Sequence, residues 1–173
     1  SNTNGIFNLY NIPAGTHELT FVKEGYITIK HEITVDGQKT TFVEAFMEIS
    51  FPTVLTGETT EIKQSIATFH GNILDIGGSP ITAYGHVWSV LKYPEIGDTL
   101  TDTTNNGTTT NIGEFSNRVD SLEVDTKYYI RAYAINSEGL SYGNELSFFT
   151  LAPGKESIIN KSGKTFFRKL SNK

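Results

Sequence analysis

The stretch LEVDTKYYIRAYAINSEG, residues 122–139, decides the fold class of this chain. From Tyr128 onward its residues alternate with a period of two, which is typical of a strand with one buried face. The alternation gives an inner set of Tyr128, Ile130, Ala132 and Ala134, and an outer set of Tyr129, Arg131, Tyr133 and Ile135. The small alanines leave room for bulky side chains from a facing sheet. We therefore expect the inner set in the core, and any binding by this stretch on the outer face.

The composition favours strands and turns over helices. The 173 residues are 37% hydrophobic and 12% aromatic, with 16 Gly, one Met and one Trp. No window longer than two turns keeps a 3.6-residue apolar period. No stretch approaches the roughly 20 apolar residues of a membrane-spanning helix. We expect an all-β chain that does not itself span a membrane.

Turn signals divide the region around the opening stretch into seven candidate strands. These are TVLTG (53–57), SIATFHGNIL (65–74), TAYGHVWSVL (82–91), a short edge at DTLTD (98–102), GEFSNRVDSL (113–122), KYYIRAYAIN (127–136) and LSYGNELSFFT (140–150). Short strands at regular spacing, with Gly-rich turns between them, favour a β-sandwich.

The same region resembles a known family. The opening stretch, together with GGSPITAYGHVWS (77–89) and SYGNELSFFT (141–150), is similar to the fibronectin type III variant that recurs in surface proteins of Bacteroidetes. The resemblance covers residues 51–151. It implies that Leu122 and Tyr128 form a tyrosine corner, in which the Tyr128 hydroxyl bonds to backbone near the preceding turn. That role is structural.

An N-terminal stretch resembles a second family. NGIFNLYNIPAGTHELTFVKEGYITIKHEITV, residues 4–35, is similar to the C-terminal part of a carboxypeptidase regulatory-like domain and to the related PEGA modules of bacterial surface proteins. Turns at 13–15 and 36–37 separate predicted strands at 6–12, 17–35 and 39–49. The strands that precede NGIF in that family are absent. We therefore expect a transthyretin-like sandwich, over residues 4–49, that is incomplete at its N-terminus.

Charge is distributed unevenly along the chain. Residues 1–50 carry a net charge of −3, residues 51–150 a net −7 and residues 151–173 a net +5. Phosphate binding needs a basic face, so we expect no nucleic-acid partner for the folded body. The composition of the basic tail favours a linker or a frayed terminus. The alternative is that KTFFRKL (164–170) adds a strand to the open edge of the N-terminal module.

Four aromatic residues are candidates for stacking on a sugar ring: Tyr84, Trp88, Tyr133 and Tyr142. Their rings would offer apolar faces to the C–H face of a sugar. Tyr84 and Trp88 share a strand face with His86, and packing inside a sandwich or a cross-strand ladder is the more frequent reason for such a pattern.

No motif indicates catalysis, a metal or a cofactor. The chain has no cysteine, which excludes thiolate ligands and nucleophiles. Its four histidines have no metal-ligand spacing, and no GxSxG elbow occurs. Carboxylates cluster in two loops, 95–102 and 120–125, but match no EF-hand pattern. We expect a protein that is not an enzyme and binds no metal or cofactor.

The sequence thus predicts two small β-sandwich modules in tandem, residues 1–50 and 51–151, followed by a tail at 152–173. The resemblances imply a non-catalytic spacer or adhesion module of a bacterial protein that is secreted, periplasmic or exposed at the cell surface. Two alternatives stay open. One is an accessory module that binds a polysaccharide, and the other is a module that recruits another surface protein by strand addition at the incomplete sheet.

Overall fold

The computed structural model describes residues 7–23, 25–37, 39–159 and 165–169, and it contains no helix within them. Twelve strands lie in this described part: β1 (Gly15–Phe21), β2 (Ile29–Val35), β3 (Thr53–Thr60), β4 (Ala67–Asp75), β5 (Ala83–Ser89), β6 (Thr101–Thr103), β7 (Gly113–Val119), β8 (Lys127–Asn136), β9 (Gly139–Tyr142), β10 (Leu146–Phe149), β11 (Lys155–Ile159) and β12 (Thr165–Lys169). All the strand pairs are antiparallel. The predicted all-β fold class is confirmed.

Strands β3 to β10 form a β-sandwich. One sheet has the order β3-β4-β7, and the other has the order β10-β8-β5-β6 with β9 also paired to β8. The core between the sheets is made by aromatic and aliphatic side chains that both sheets contribute. Its larger cluster contains Ala67, Phe69, Trp88, Val119, Leu122, Tyr128, Ile130 and Phe148.

Strand β8 has the bounds and the buried face that the alternation predicts. Ile130, Ala132 and Ala134 are fully buried, and Tyr128 is nearly so. Ile73 of β4 shares a core cluster with Ala132 and Ala134, so the facing sheet fills the space that these small residues leave.

The predicted strand at 140–150 is divided into β9 and β10. Thr56 of β3 approaches between them: its hydroxyl accepts a hydrogen bond from the Ala132 N–H at 2.9 Å, and its own N–H donates to the Asn144 side chain at 3.1 Å. A Cβ on Gly143 would lie 2.7 Å from the Thr56 nitrogen, so only glycine fits at the crossing. This contact joins β3 to the opposite sheet. It links residues 76 and 88 positions apart in the chain, so local sequence signals could not have predicted it.

The corner before β8 is tied by Tyr128. Its hydroxyl accepts a hydrogen bond from the Glu123 N–H at 3.0 Å, and its ring stacks on Phe148 with 5.7 Å between centroids. Leu122 is buried beside it. This is the geometry of a tyrosine corner.

Removing that hydroxyl should weaken the fold. We expect Tyr128→Phe to lower the free energy of unfolding by about 1 kcal/mol, the usual size of one hydrogen bond. Urea denaturation measures the change, and Tyr129→Phe on the outer face of the same strand is the control. Equal unfolding midpoints for Tyr128→Phe and the parent would contradict the corner.

The N-terminal segment, defined as the described residues from 7 to 50, contains fewer strands than predicted. Only β1 and β2 form a ladder. The predicted strands at 6–12 and 39–49 are wrong over the described residues 7–12 and 39–49, apart from a single bridge between Tyr26 and Ile49, and position 6 lies outside the described residues. Residues 42–48 do alternate between exposed and half-buried, but no neighbouring strand within the described part completes a ladder with them. Phe42 and Phe46 are consequently 90% and 83% exposed.

The C-terminal strands pair with each other. Strand β12, which covers most of the predicted KTFFRKL strand, is antiparallel to β11 rather than added to the N-terminal segment. Positions 164 and 170 of that prediction lie outside the described residues. The division into modules at residues 50 and 151 stays a prediction.

Candidate functional site

The predicted stacking residues on β5 lie inside the sandwich. Trp88 is only 7% exposed, and its ring centroid is 5.2 Å from that of Phe69 in an edge-to-face contact. Tyr84 is half-buried and packs edge-to-face on Phe115 at 5.0 Å. Both residues share the inner face with His86, because they pair with the inner residues of β8. Packing therefore accounts for their positions.

The other two predicted residues lie on the opposite face of the same sheet. Tyr133 is 3% exposed, because the segment after β6 covers it and its hydroxyl donates to the Thr104 carbonyl at 2.8 Å. Tyr142 is half-buried, and its hydroxyl accepts a hydrogen bond from the Ile96 N–H at 2.7 Å. Burial raises the pKa of both phenols, so both are neutral at physiological pH. The structure does not bring the four predicted residues onto one surface.

Three cations and two aromatic rings do share a surface, which we call the basic face: Lys92, Lys127, Tyr129, Arg131 and Tyr142. The Lys127 ammonium lies 4.8 Å from the Tyr129 ring centroid, and the Lys92 ammonium lies 6.0 Å from it. The Arg131 guanidinium lies 4.2 Å from the Tyr142 centroid. These are cation–π distances. Tyr129 and Arg131 were predicted to face outward, whereas Lys92 and Lys127 were not predicted as site residues.

The loop after β5 closes one side of the basic face. The Tyr93 N–H donates a hydrogen bond to the Glu145 carboxylate. Three residues later in the loop, the Ile96 N–H donates to the Tyr142 hydroxyl. Arg131 lies 4.0 Å from the Glu95 carboxylate and donates through Nε to the Gly143 carbonyl at 3.2 Å. Arg131 therefore holds the loop and the strand break together, while the two lysines remain at the rim.

A second feature joins the N-terminal segment to the sandwich. Gly25 donates its N–H to the Gly78 carbonyl at 2.8 Å, Gly78 donates to the Ser50 carbonyl at 3.2 Å, and Ser50 donates to the Gly25 carbonyl at 2.9 Å. Each residue thus donates to one partner and accepts from the other. We call this closed set of three backbone hydrogen bonds the junction.

Close packing reinforces the junction. A Cβ on Gly78 would lie 2.5 Å from the Tyr26 nitrogen and 2.6 Å from the Gly25 carbonyl carbon, both of them backbone atoms. The buried Asn136 side chain at the end of β8 donates to the Ser50 carbonyl at 3.0 Å. The turn between β1 and β2, the segment before β3 and the turn between β4 and β5 therefore meet without space for a larger residue.

A buried polar network links β5 to β7. His86 Nδ1 lies 2.9 Å from the Asn117 side-chain oxygen, which also accepts from the Thr104 hydroxyl at 3.0 Å. Because an amide oxygen only accepts, neutral His86 carries its proton on Nδ1. Burial lowers the pKa of His86 below its ordinary value of 6.5, and the His70 imidazole adds to that effect; hydrogen bonding to Asn117 and to the His70 backbone opposes it without cancelling it.

This lowered pKa predicts that acid weakens the sandwich. In the unfolded chain the His86 imidazole becomes protonated near pH 6.5. In the folded chain it becomes protonated only at a lower pH. We expect His86 to contribute stability in full above pH 6.5 and to lose it as the pH falls from there toward the folded pKa. Urea unfolding at a series of pH values measures how steeply the free energy of unfolding falls with decreasing pH, and His86→Gln should make this slope shallower. An unchanged slope in His86→Gln would assign the pH dependence to other groups.

The described ranges contain neither a cluster of metal ligands nor a membrane-spanning helix. No three His, Asp or Glu side chains there come together as metal ligands would. No helix in that part of the chain has the length and apolarity to cross a membrane.

Comparison with known proteins finds one family match and several similar structures. Residues 7–50, about a quarter of the chain, match the PEGA domain family. No curated protein sequence matches. The PEGA-type resemblance is confirmed for this segment, while the carboxypeptidase regulatory-like relation and the Bacteroidetes source stay predictions.

Three solved structures are similar to this chain. The sensor domain of the anti-sigma factor RsgI4 from Pseudobacteroides cellulosolvens is 14% identical, covers 58% of this chain and 95% of its own, and has a TM-score of 0.45. A redesigned β-sandwich protein is 20% identical, with coverages of 59% and 95% and a TM-score of 0.42. The third fibronectin III domain of human KIAA0343 is 11% identical, with coverages of 66% and 94% and a TM-score of 0.41.

Proposed function

We propose that this chain is a non-catalytic spacer module of an exported bacterial surface protein, and that it holds its N-terminal segment and its sandwich in one fixed relative orientation. The junction is the observation that carries this proposal. Flexible connections between modules leave their backbone groups to water. Here Ser50 bonds to both sides at once, and Pro52 follows it with a restricted backbone angle.

The junction is strong because its three hydrogen bonds form a closed set. Each backbone hydrogen bond contributes about 1 kcal/mol net, and the three bonds share the ordering of the same residues. Bending at the junction would break at least two of them and expose the Asn136 side chain, which is buried. A spacer with this property transmits position and direction, which a flexible linker does not.

The location rests on the family match and on the resemblances in the sequence. The PEGA match at residues 7–50 and the fibronectin type III-like pattern at residues 51–151 both favour a bacterial protein that is secreted, periplasmic or at the cell surface. The residues of the basic face favour an additional adhesive role, since they lie on the outer face of the sandwich, one exposed and four half-buried, and serve no purpose in the core.

The distance distribution between two spin labels tests the spacer proposal. Labels on Glu32 of β2 and Arg118 of β7 report on the two sides of the junction, and both residues are exposed. One narrow distribution is expected for a spacer. A broad distribution would mean that the two parts move independently, and the proposal would fail.

A further inference from the structure

Positive charge is concentrated on one surface of an otherwise acidic region. Residues 51–150 contain five Lys or Arg and twelve Asp or Glu. Three of the five cations, Lys92, Lys127 and Arg131, belong to the basic face. Most of residues 51–150 repels anions, because acidic residues outnumber basic ones there. The basic face is therefore the part of the sandwich that attracts an anion.

The two lysines are available to a ligand. Among the described residues, neither Lys92 nor Lys127 has a carboxylate within salt-bridge distance, whereas Arg131 is already engaged with Glu95 and the Gly143 carbonyl. The Lys127 ammonium also lies 5.8 Å from the ring centroid of Phe149, which is 55% exposed. Aromatic surface and positive charge without a carboxylate partner therefore lie side by side.

The position of the basic face limits the kind of ligand. Strand β8 is paired on both sides, with β5 and with β9 and β10, so its backbone cannot accept an added peptide strand. Lys127 and Arg131 are four residues apart on one strand, about 13 Å along it. A flat surface of this length, with rings between sparse cations, suits an extended polymer whose charges are also sparse. Nucleic acid has a high density of negative charge, so the surrounding carboxylates would repel it.

We propose that the basic face binds an acidic polysaccharide, with Lys92 and Lys127 contacting its carboxylates and the Tyr129 ring packing against a sugar. Arg131 is a positioning residue that holds the Tyr142 ring and the loop after β5. The rings supply apolar contact that a polysaccharide can use and that a simple anion cannot. This inference rests on the adhesive role proposed for the basic face and names its ligand class; it does not depend on the spacer role.

Affinity electrophoresis in gels that contain polygalacturonate tests the proposal, with dextran as the neutral polymer and poly-L-glutamate as the acidic peptide. The parent protein should be retarded by polygalacturonate, less so as salt is added. The double variant Lys92→Gln/Lys127→Gln should bind at least about tenfold more weakly. Lys30→Gln/Lys39→Gln, which removes two lysines of the N-terminal segment, is the matched control and should bind as the parent does.

The three polymers and one further variant make the result decisive. Tyr129→Ala should weaken retardation by polygalacturonate, because it removes the ring while leaving the charges. The proposal is overturned if polygalacturonate does not retard the parent, if dextran retards it equally, or if the two double variants bind alike. Equal retardation by poly-L-glutamate, unaffected by Tyr129→Ala, would assign the basic face to acidic peptides instead.

Discussion

Phe69→Ala is expected to lower the free energy of unfolding by about 3–5 kcal/mol, the range for truncating a buried phenylalanine. Phe69 is fully buried on β4 and meets three rings of the opposite sheet edge-to-face: His86 at 5.7 Å, Trp88 at 5.2 Å and Phe148 at 5.5 Å between centroids. Its loss would leave a cavity that the rigid sheets cannot close and would remove all three aromatic contacts. Urea denaturation of both proteins gives the difference.

Phe149→Ala is the control for this prediction. Phe149 is the neighbour of Phe148 on β10 but points to the outer face and is 55% exposed. Its truncation should change stability by less than about 1 kcal/mol, as surface substitutions do. Phe69→Leu keeps most of the volume and should fall between the two. If Phe69→Ala lowered the free energy of unfolding no more than Phe149→Ala does, the three aromatic contacts of Phe69 would not stabilise the core.

Gly78→Val is expected to release the N-terminal segment from the sandwich. The new side chain would collide with backbone atoms of Gly25 and Tyr26, which cannot move without breaking the junction. The Gly78 backbone does not have a positive φ, so the effect would be steric and confined to the junction. The sandwich should still unfold cooperatively, and the distance distribution between labels on the two sides should broaden.

Gly37→Val is the matched control for Gly78→Val. Gly37 also lacks a positive φ, and its added Cβ would meet Ala14 at 3.8 Å, an ordinary contact. This variant should keep the narrow distance distribution of the parent. If Gly78→Val also kept it, the junction would not be what fixes the orientation.

Strand β8 shows how far sequence reasoning reaches. Its bounds and its buried face follow from local alternation, because Ala132 and Ala134 suit only the crowded side of the strand. Alternation favoured packing for Tyr84 and Trp88 on β5 but could not exclude a surface platform. The facing ring of Phe69 decides it, and that contact joins residues far apart in the chain.

Other features depended on contacts that sequence pattern does not encode. Residues 39–49 alternate as a strand would, but a strand also needs a partner edge, and the described residues give it only a bridge. The basic face could be predicted only in part. The outward positions of Tyr129 and Arg131 follow from the period of β8, whereas Lys92 lies on a loop whose position the sequence pattern does not give. The junction joins Gly25, Ser50 and Gly78 by hydrogen bonds. The sequence around each of them predicts a turn or loop but not that the three meet.

The distance distribution between spin labels on Glu32→Cys and Arg118→Cys is the most direct test of the fixed junction. The natural chain has no cysteine, so the labels attach at these two positions alone. The junction predicts one narrow distribution that is unchanged by added salt, because uncharged backbone groups form it. A broad or multimodal distribution in the folded parent protein would contradict it.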